Sequence, residues 1–162
     1  MGNELLNDQR VLVVDDEEDV LETVAELLSM CHVVKASNFT EAKKCLDQQV
    51  FDIAILDIMG VDGYRLLETA ARKKILPVML TAHALTPEDT MKSFKEGAAS
   101  FVPKDKMEDI ATYLVDILEA KEKGRSSWWR WLERFASYYD KKFGPNWRRG
   151  DEEFWKTFGP WE

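Results

Sequence analysis

The chain has 162 residues, of which 45% are hydrophobic and 32% charged, and its formal net charge is −8 at pH 7. No run approaches the roughly 18 apolar residues of a membrane span, and the N-terminus lacks the basic start and apolar stretch of a secretory signal. We therefore expect a cytoplasmic protein with one ordinary domain plus an extension.

Charge and aromatic residues are unevenly distributed along the chain. Residues 1–120 carry a balance of −11, whereas residues 121–162 carry +3. All six tryptophans follow residue 127, and 12 of the 18 aromatic residues lie in the last 42 positions. A change of composition this sharp predicts a module boundary near residues 122–127.

Five short apolar runs are predicted as strands, at residues 11–14, 32–36, 51–56, 77–82 and 100–103. Helical spacing or capping residues predict a helix after each strand, at residues 20–30, 40–48, 63–74, 86–97 and 106–122. Ser37 or Asn38 can cap the second helix, and Thr86 with Pro87 begins the fourth. Nearly continuous apolar strands that alternate with helices predict a parallel sheet covered on both faces.

Polar side chains occur where these predicted strands end. Asp15 and Asp16 follow the first strand, Asp57 follows the third, Thr81 lies in the fourth, and Lys104 follows the fifth. Ligands of such sheets bind beyond the carboxyl ends of the strands, so we expect these groups to form one site.

The chemistry of this predicted site favours phosphoryl transfer. Three neighbouring carboxylates repel one another, and a hard cation such as Mg²⁺ relieves the repulsion. Lys104 adds a positive charge suited to a phosphate, and Thr81 adds a hydroxyl donor. Asp57 is then the candidate nucleophile. Glu17, Glu18 and Asp19 are predicted to begin a helix rather than to bind metal.

Four motifs resemble the receiver domain of two-component response regulators: VLVVDDEEDV, ILDIMGVDGYRLL, PVMLTAHAL and GAASFVPKD. The resemblance covers residues 10 to about 122. It implies an α/β, flavodoxin-like (βα)5 doubly wound parallel sheet with strand order 2-1-3-4-5. We expect a receiver domain at 1–122, a linker at 123–127 and an aromatic-rich helical extension at 128–162.

The resemblance also implies a role for each motif residue. Asp57 accepts a phosphoryl group from a sensor histidine kinase or a histidine phosphotransfer domain, and Thr81 and Lys104 bond that group. The implied Mg²⁺ ligands are Asp15, Asp16, Asp57 and the backbone carbonyl of Met59. Thr81 and Phe101 occupy the switch positions, and His83 and Met59 occupy positions that modulate the lifetime of the phosphoryl group.

Three features depart from the family pattern. The loop between Asp57 and Gly63 is shortened, and the helix that follows it is about one turn short. Lys104 is followed by Asp105 instead of a cis proline. A cis bond without proline costs about 3–4 kcal/mol, so we expect a trans bond there.

Two other functions remain open on the sequence. A degenerate receiver can act as a constitutive scaffold, and a phosphatase can use Asp57 as an aspartyl nucleophile. The phosphatase requires a second acid near the nucleophile and a cap insertion, which the segment DIMGV does not supply. We therefore expect a signalling module with output by protein contact, and not an enzyme.

The extension is predicted to contain an amphipathic helix, capped by Ser126 or Ser127 and ending at Gly144, and a second helix at 151–158. It can fold back onto its own domain, form a homodimer or bind another protein, or lie on a membrane surface. DNA binding is not expected, because +3 is a weak charge and no helix-turn-helix pattern occurs. The predicted interface residues are Trp128, Trp131, Leu132, Phe135, Tyr138 and Tyr139.

Overall fold

The computed structural model describes residues 2–82 and 86–148. They form one five-stranded parallel sheet in the order β2-β1-β3-β4-β5, which confirms the predicted fold and strand order. The strands are β1 (Arg10–Val14), β2 (His32–Ala36), β3 (Ile53–Asp57), β4 (Leu76–Thr81) and β5 (Ser100–Pro103). His83 and the predicted helix at 151–158 lie outside the described residues.

Six α-helices and two 3-10 helices occur in the described residues. The α-helices are α1 (Glu18–Leu27), α2 (Phe39–Gln48), α3 (Gly63–Arg72), α4 (Pro87–Lys95), α5 (Ile110–Glu122) and α6 (Trp128–Phe143). The 3-10 helices are Gly2–Leu6 and Lys104–Asp109. Asn38 caps α2 by accepting a hydrogen bond from the Glu41 amide at 2.8 Å, as predicted. Thr86 and Asp89 form a capping box at the start of α4.

The predicted bounds of the five helices are off by one to four residues at one end or both, and the first, expected at 20–30, spans Glu18–Leu27. The single helix expected at 106–122 is a 3-10 helix followed by α5. Met107 is the one apolar residue of the Lys104–Asp109 segment, so no apolar face stabilises regular α-helical turns there. The third helix ends at Arg72 rather than at Lys74, because Lys74 adopts a left-handed conformation with φ of 62°.

The central strands are buried and place their carboxyl ends at one edge. All five residues of β3 are buried, which explains why its sequence is a continuous apolar run that ends in an aspartate. Val14 pairs with Leu56, and Asp57 pairs with Leu80, which brings the ends of β1, β3 and β4 together. This alignment positions the site described below.

Helix α6 packs back onto the face formed by α4, β5 and α5. Its buried side chains join the same hydrophobic core as the sheet: Trp128, Trp131, Leu132, Phe135 and Tyr139. Trp128 and Trp131 contact the Phe94 ring of α4. The Arg134 guanidinium donates to both carboxylate oxygens of Asp116 on α5. Among the described helices, none is long and apolar enough to cross a membrane.

Candidate functional site

Side chains from four strand ends line one open groove of about 200 Å³. Asp15 directly follows β1, Asp57 ends β3, Thr81 ends β4, and Lys104 directly follows β5. The groove is lined by Asp16, Glu17, Asp57, Met59, Gly60, Thr81, Ala82 and Lys104. The parallel sheet therefore brings the sequence-predicted site residues to the same edge.

Within residues 2–82 and 86–148, Lys104 is the cation that faces these carboxylates. Its Nζ lies 2.8 Å from Asp15 Oδ2 and 3.7 Å from Asp57 Oδ1. A third contact, at 3.7 Å, joins it to Glu17 Oε1. Asp15 is fully buried and Asp57 is only 4% exposed. One ammonium thus faces two buried carboxylates and a third that is exposed.

Burial and the repulsion between neighbouring carboxylates disfavour the ionised forms of Asp15 and Asp57. Burial, followed by the negative charge of Asp15, raises the pKa of Asp57 to about 7, although Lys104 opposes the shift. Burial also raises the pKa of Asp15, against hydrogen bonds from Lys104 and the Glu17 amide. Burial lowers the pKa of Lys104, but its bond to Asp15 and the surrounding carboxylates outweigh that and raise it overall. The groove therefore favours an added cation.

Three neighbouring carboxylates, two of which line this groove, can hold a metal ion. Asp15, Asp16 and Glu17 each offer an oxygen, and these atoms lie within 4.8 Å of one another. Oxygen donors of this kind suit a hard cation such as Mg²⁺. Glu17 was expected only to begin α1; it occupies the N-cap position without a side-chain cap bond, and its carboxylate turns toward Lys104 instead.

Gly60 keeps the groove open beside Asp16, a role that the sequence analysis missed. Its φ is +86°, and a Cβ there would lie 2.5 Å from Asp16 Oδ2. The signal was a glycine within the loop that follows the candidate nucleophile. Met59, whose carbonyl was an expected metal ligand, lines the groove and is 67% exposed. Its ligand role stays a prediction.

The shortened loop after Asp57 closes through its backbone. The Gly63 amide donates to the Ile58 carbonyl at 3.2 Å, and Asp62 has a left-handed φ of 55°. A Cβ on Gly63 would lie 2.1 Å from the Asp57 carbonyl oxygen, so only glycine fits. The short loop therefore closes only because Gly63, which has no side chain, can lie against the backbone of Asp57.

The two predicted switch residues are both buried. Thr81 and Phe101 lie on the adjacent strands β4 and β5, and the Phe101 ring already faces the core. The Phe101 carbonyl accepts a hydrogen bond from Trp131 Nε1 at 2.7 Å. Helix α6 is therefore hydrogen-bonded directly to a predicted switch residue, which the sequence did not indicate.

The predicted interface residues of the extension contact their own domain. Tyr139 is fully buried, and its hydroxyl lies 2.7 Å from the Thr90 hydroxyl of α4. Tyr138 is partly exposed, and its hydroxyl donates to Asp105 at 3.2 Å. Among the alternatives for the extension, residues 128–148 thus adopt the folded-back one, while a protein partner for it stays a prediction.

Residues 11–115 match a family model described as the response regulator receiver domain. The two-component response regulator ARR12 of Arabidopsis thaliana is 32% identical over 127 residues, which cover 73% of this chain and 21% of the relative. The heme response regulator HssR of Staphylococcus aureus (strain Newman) is 32% identical over 97 residues, which cover 57% of this chain and 43% of the relative. The BeF3-activated receiver domain of DrrB, from Thermotoga maritima, has a TM-score of 0.59 at 25% identity and covers 69% of this chain and 98% of that one. The chain spans about a fifth of the length of the plant relatives it matches.

Proposed function

The chain belongs to the response regulator receiver family of two-component systems, and from this premise we propose that it accepts a phosphoryl group on Asp57. The observation that carries the proposal is the buried Asp57 carboxylate, with Lys104 Nζ 3.7 Å away in an open groove. Receivers of this family are mainly signalling modules that interact with histidine kinases or phosphotransfer proteins. We therefore propose a phosphohistidine as the donor and protein contact as the output.

The proposed reaction is a direct transfer between two side chains. A carboxylate oxygen of Asp57 attacks the phosphorus of the phosphohistidine, so that an O–P bond forms as the N–P bond breaks. The leaving imidazole keeps the electron pair of the broken bond and carries a proton. Lys104 and the Thr81 hydroxyl lie at the groove, where they stabilise negative charge on the transferred oxygens.

Asp57 must be ionised to act as the nucleophile. With its pKa raised to about 7, a substantial fraction of Asp57 carries a proton at neutral pH. Positive charge in the groove lowers this fraction by favouring the carboxylate. Ionisation of Asp57 therefore depends on how well the neighbouring acids are neutralised.

Asp15, Asp16 and Glu17 would hold Mg²⁺, and the open space beside Gly60 gives access to them. Bound Mg²⁺ neutralises the carboxylates and the charge of the phosphoryl oxygens. Asp57 lines the same groove and can share the ion. The donor set is all oxygen, which fits this metal better than it fits zinc.

The experiment that tests the proposal is incubation of the chain with Mg²⁺ and a small phosphodonor such as acetyl phosphate, followed by intact mass measurement. We expect the mass of one added phosphoryl group, its loss in Asp57→Asn, and its retention in the control Asp19→Asn. Asp19 is an exposed aspartate at the start of α1. An unmodified wild-type chain, or a modified Asp57→Asn chain, would contradict the proposal, and the former would favour a constitutive scaffold.

A further inference from the structure

Tyr138 of α6 connects the extension to the residue next to the site lysine. Its hydroxyl lies 3.2 Å from each carboxylate oxygen of Asp105 and donates to them. The Lys142 ammonium donates to the same hydroxyl at 3.3 Å, and the Lys106 ammonium lies 5.5 Å from the centre of the ring. Asp105 follows Lys104, whose ammonium pairs with Asp15 at 2.8 Å. One peptide bond therefore separates the site lysine from one of the contacts that hold α6 against the domain.

We propose that the Tyr138–Asp105 contact couples α6 to the state of Asp57, so that a phosphoryl group on Asp57 weakens the docking of α6. The coupling rests on the proposed function of Asp57. By linkage, docked α6 then opposes phosphorylation by the same factor. The extension is thus a regulatory element that stabilises the unphosphorylated arrangement of the groove.

The charge distribution in the groove gives the direction of this effect. Lys104 Nζ lies closer to Asp15, at 2.8 Å, than to Asp57, at 3.7 Å. A phosphoryl group on Asp57 adds negative charge on that side and draws the ammonium away from Asp15. Lys104 begins a 3-10 helix, whose hydrogen bonds are weaker than those of an α-helix. A displacement of Lys104 therefore reaches Asp105 through a deformable segment.

Helix α6 also spans the two chain segments that leave the groove. Tyr139 contacts Thr90 on α4, which follows Thr81, and Tyr138 contacts Asp105, which follows Lys104. A change in the spacing between α4 and the 3-10 helix therefore costs at least one of these contacts.

The Tyr138–Asp105 contact can be removed without unfolding the protein. It is solvent-exposed, so its own contribution to stability is small. Tyr138→Phe deletes the hydroxyl and keeps the ring. Tyr64→Phe is a matched control, because the Tyr64 hydroxyl bonds the Asp89 carbonyl, at 3.4 Å, and not the segment after Lys104.

The test uses the full chain with Mg²⁺ and beryllofluoride as the phosphoryl mimic, and compares wild type, Tyr138→Phe and Tyr64→Phe. Fluorine NMR reports binding of the mimic, and hydrogen exchange reports protection of the α6 amides. In wild type and Tyr64→Phe, we expect bound mimic to speed exchange in α6. In Tyr138→Phe, we expect α6 to exchange faster without the mimic, and the mimic to bind roughly two- to fivefold more tightly.

Two results would overturn the inference, and they separate it from the proposed function. If the mimic binds but α6 exchange is unchanged, or if Tyr138→Phe binds it with wild-type affinity, the coupling is wrong while Asp57 remains the acceptor. If no bound fluorine signal appears in wild type, the proposed site and the coupling both fail.

Discussion

Replacing Asp57 by Asn should stabilise the folded chain at alkaline pH. The pKa of this carboxyl is raised from 3.8 to about 7 in the folded state, so folding disfavours its ionised form. The resulting loss in the free energy of unfolding is largest above the folded pKa. It falls as the pH decreases from about 7 to about 4, and it vanishes below the unfolded pKa. Asparagine has nearly the same shape and never ionises, so it removes this loss at every pH.

The size of the effect follows from the two pKa values. A difference between 3.8 and about 7 corresponds to at most about 4 kcal/mol, at roughly 1.4 kcal/mol for each pKa unit. We expect Asp57→Asn to raise the free energy of unfolding by about 2–4 kcal/mol near pH 8, and by about 1–2 kcal/mol near pH 5. Mg²⁺ should narrow the difference near pH 8, because it stabilises the ionised wild-type site.

Urea denaturation followed by tryptophan fluorescence, with EDTA present and across this pH range, measures the effect. Asp19→Asn is the control, since it removes an exposed carboxylate in the first turn of α1 and should cost only about 0.3–1 kcal/mol. The reasoning is refuted if Asp57→Asn is no more stable than wild type near pH 8, or if its advantage does not shrink on acidification.

Two further predictions concern single contacts. Gly60→Ala should weaken Mg²⁺ binding in calorimetry, because a Cβ would lie 2.5 Å from Asp16 Oδ2. Gly124→Ala is the control: Gly124 also has a positive φ, but a Cβ there meets no atom within 4 Å, so this variant should bind Mg²⁺ like wild type. Equal affinity of the two variants would contradict this role of Gly60. Tyr139→Phe should lower the free energy of unfolding by about 1–3 kcal/mol in urea denaturation, because the buried Thr90 hydroxyl loses its bond at 2.7 Å; an unchanged midpoint would contradict it.

The fold and the position of the site could be predicted because both follow from local patterns. Each strand is a short apolar run, and parallel strands place the residues at their carboxyl ends on one edge. Asp57 ends β3 and Lys104 follows β5, so their meeting depends only on the strand order. The resemblance supplied that order, which periodicity alone does not determine.

The finer features of the site depend on distances that no sequence pattern contains. Glu17 belongs to the acidic group because the chain turns after Asp15, whose carboxylate accepts a hydrogen bond from the Glu17 amide at 2.9 Å. Gly60 matters because the loop passes close to Asp16. The helix expected at 106–122 is divided into a 3-10 helix over Lys104–Asp109 and α5 over Ile110–Glu122, a division that helical spacing alone does not predict.

The structure relates two features that the sequence presents separately: Asp105, which stands where the family usually has proline, and the added helix α6. In the described residues no peptide bond is cis, so the Lys104–Asp105 bond is trans, as predicted. The carboxylate at this position accepts the Tyr138 hydroxyl, an interaction that proline could not make. Neither feature alone indicated the other, because the two residues lie 33 positions apart.

The tryptophans of α6 are suited to the edge of a sheet rather than to a general apolar surface. Strand β5 lies at the edge of the sheet, so one side of its backbone has no strand neighbour. Trp128 Nε1 donates to the Ala98 carbonyl at 2.9 Å and Trp131 Nε1 to that of Phe101 at 2.7 Å, while both rings are buried. Phenylalanine or leucine would bury similar area but could not donate these two hydrogen bonds, each of which typically contributes about 0.5–1.5 kcal/mol. A tryptophan-rich helix therefore predicts docking on polar backbone, but its sequence cannot specify whether that backbone belongs to its own chain or to another.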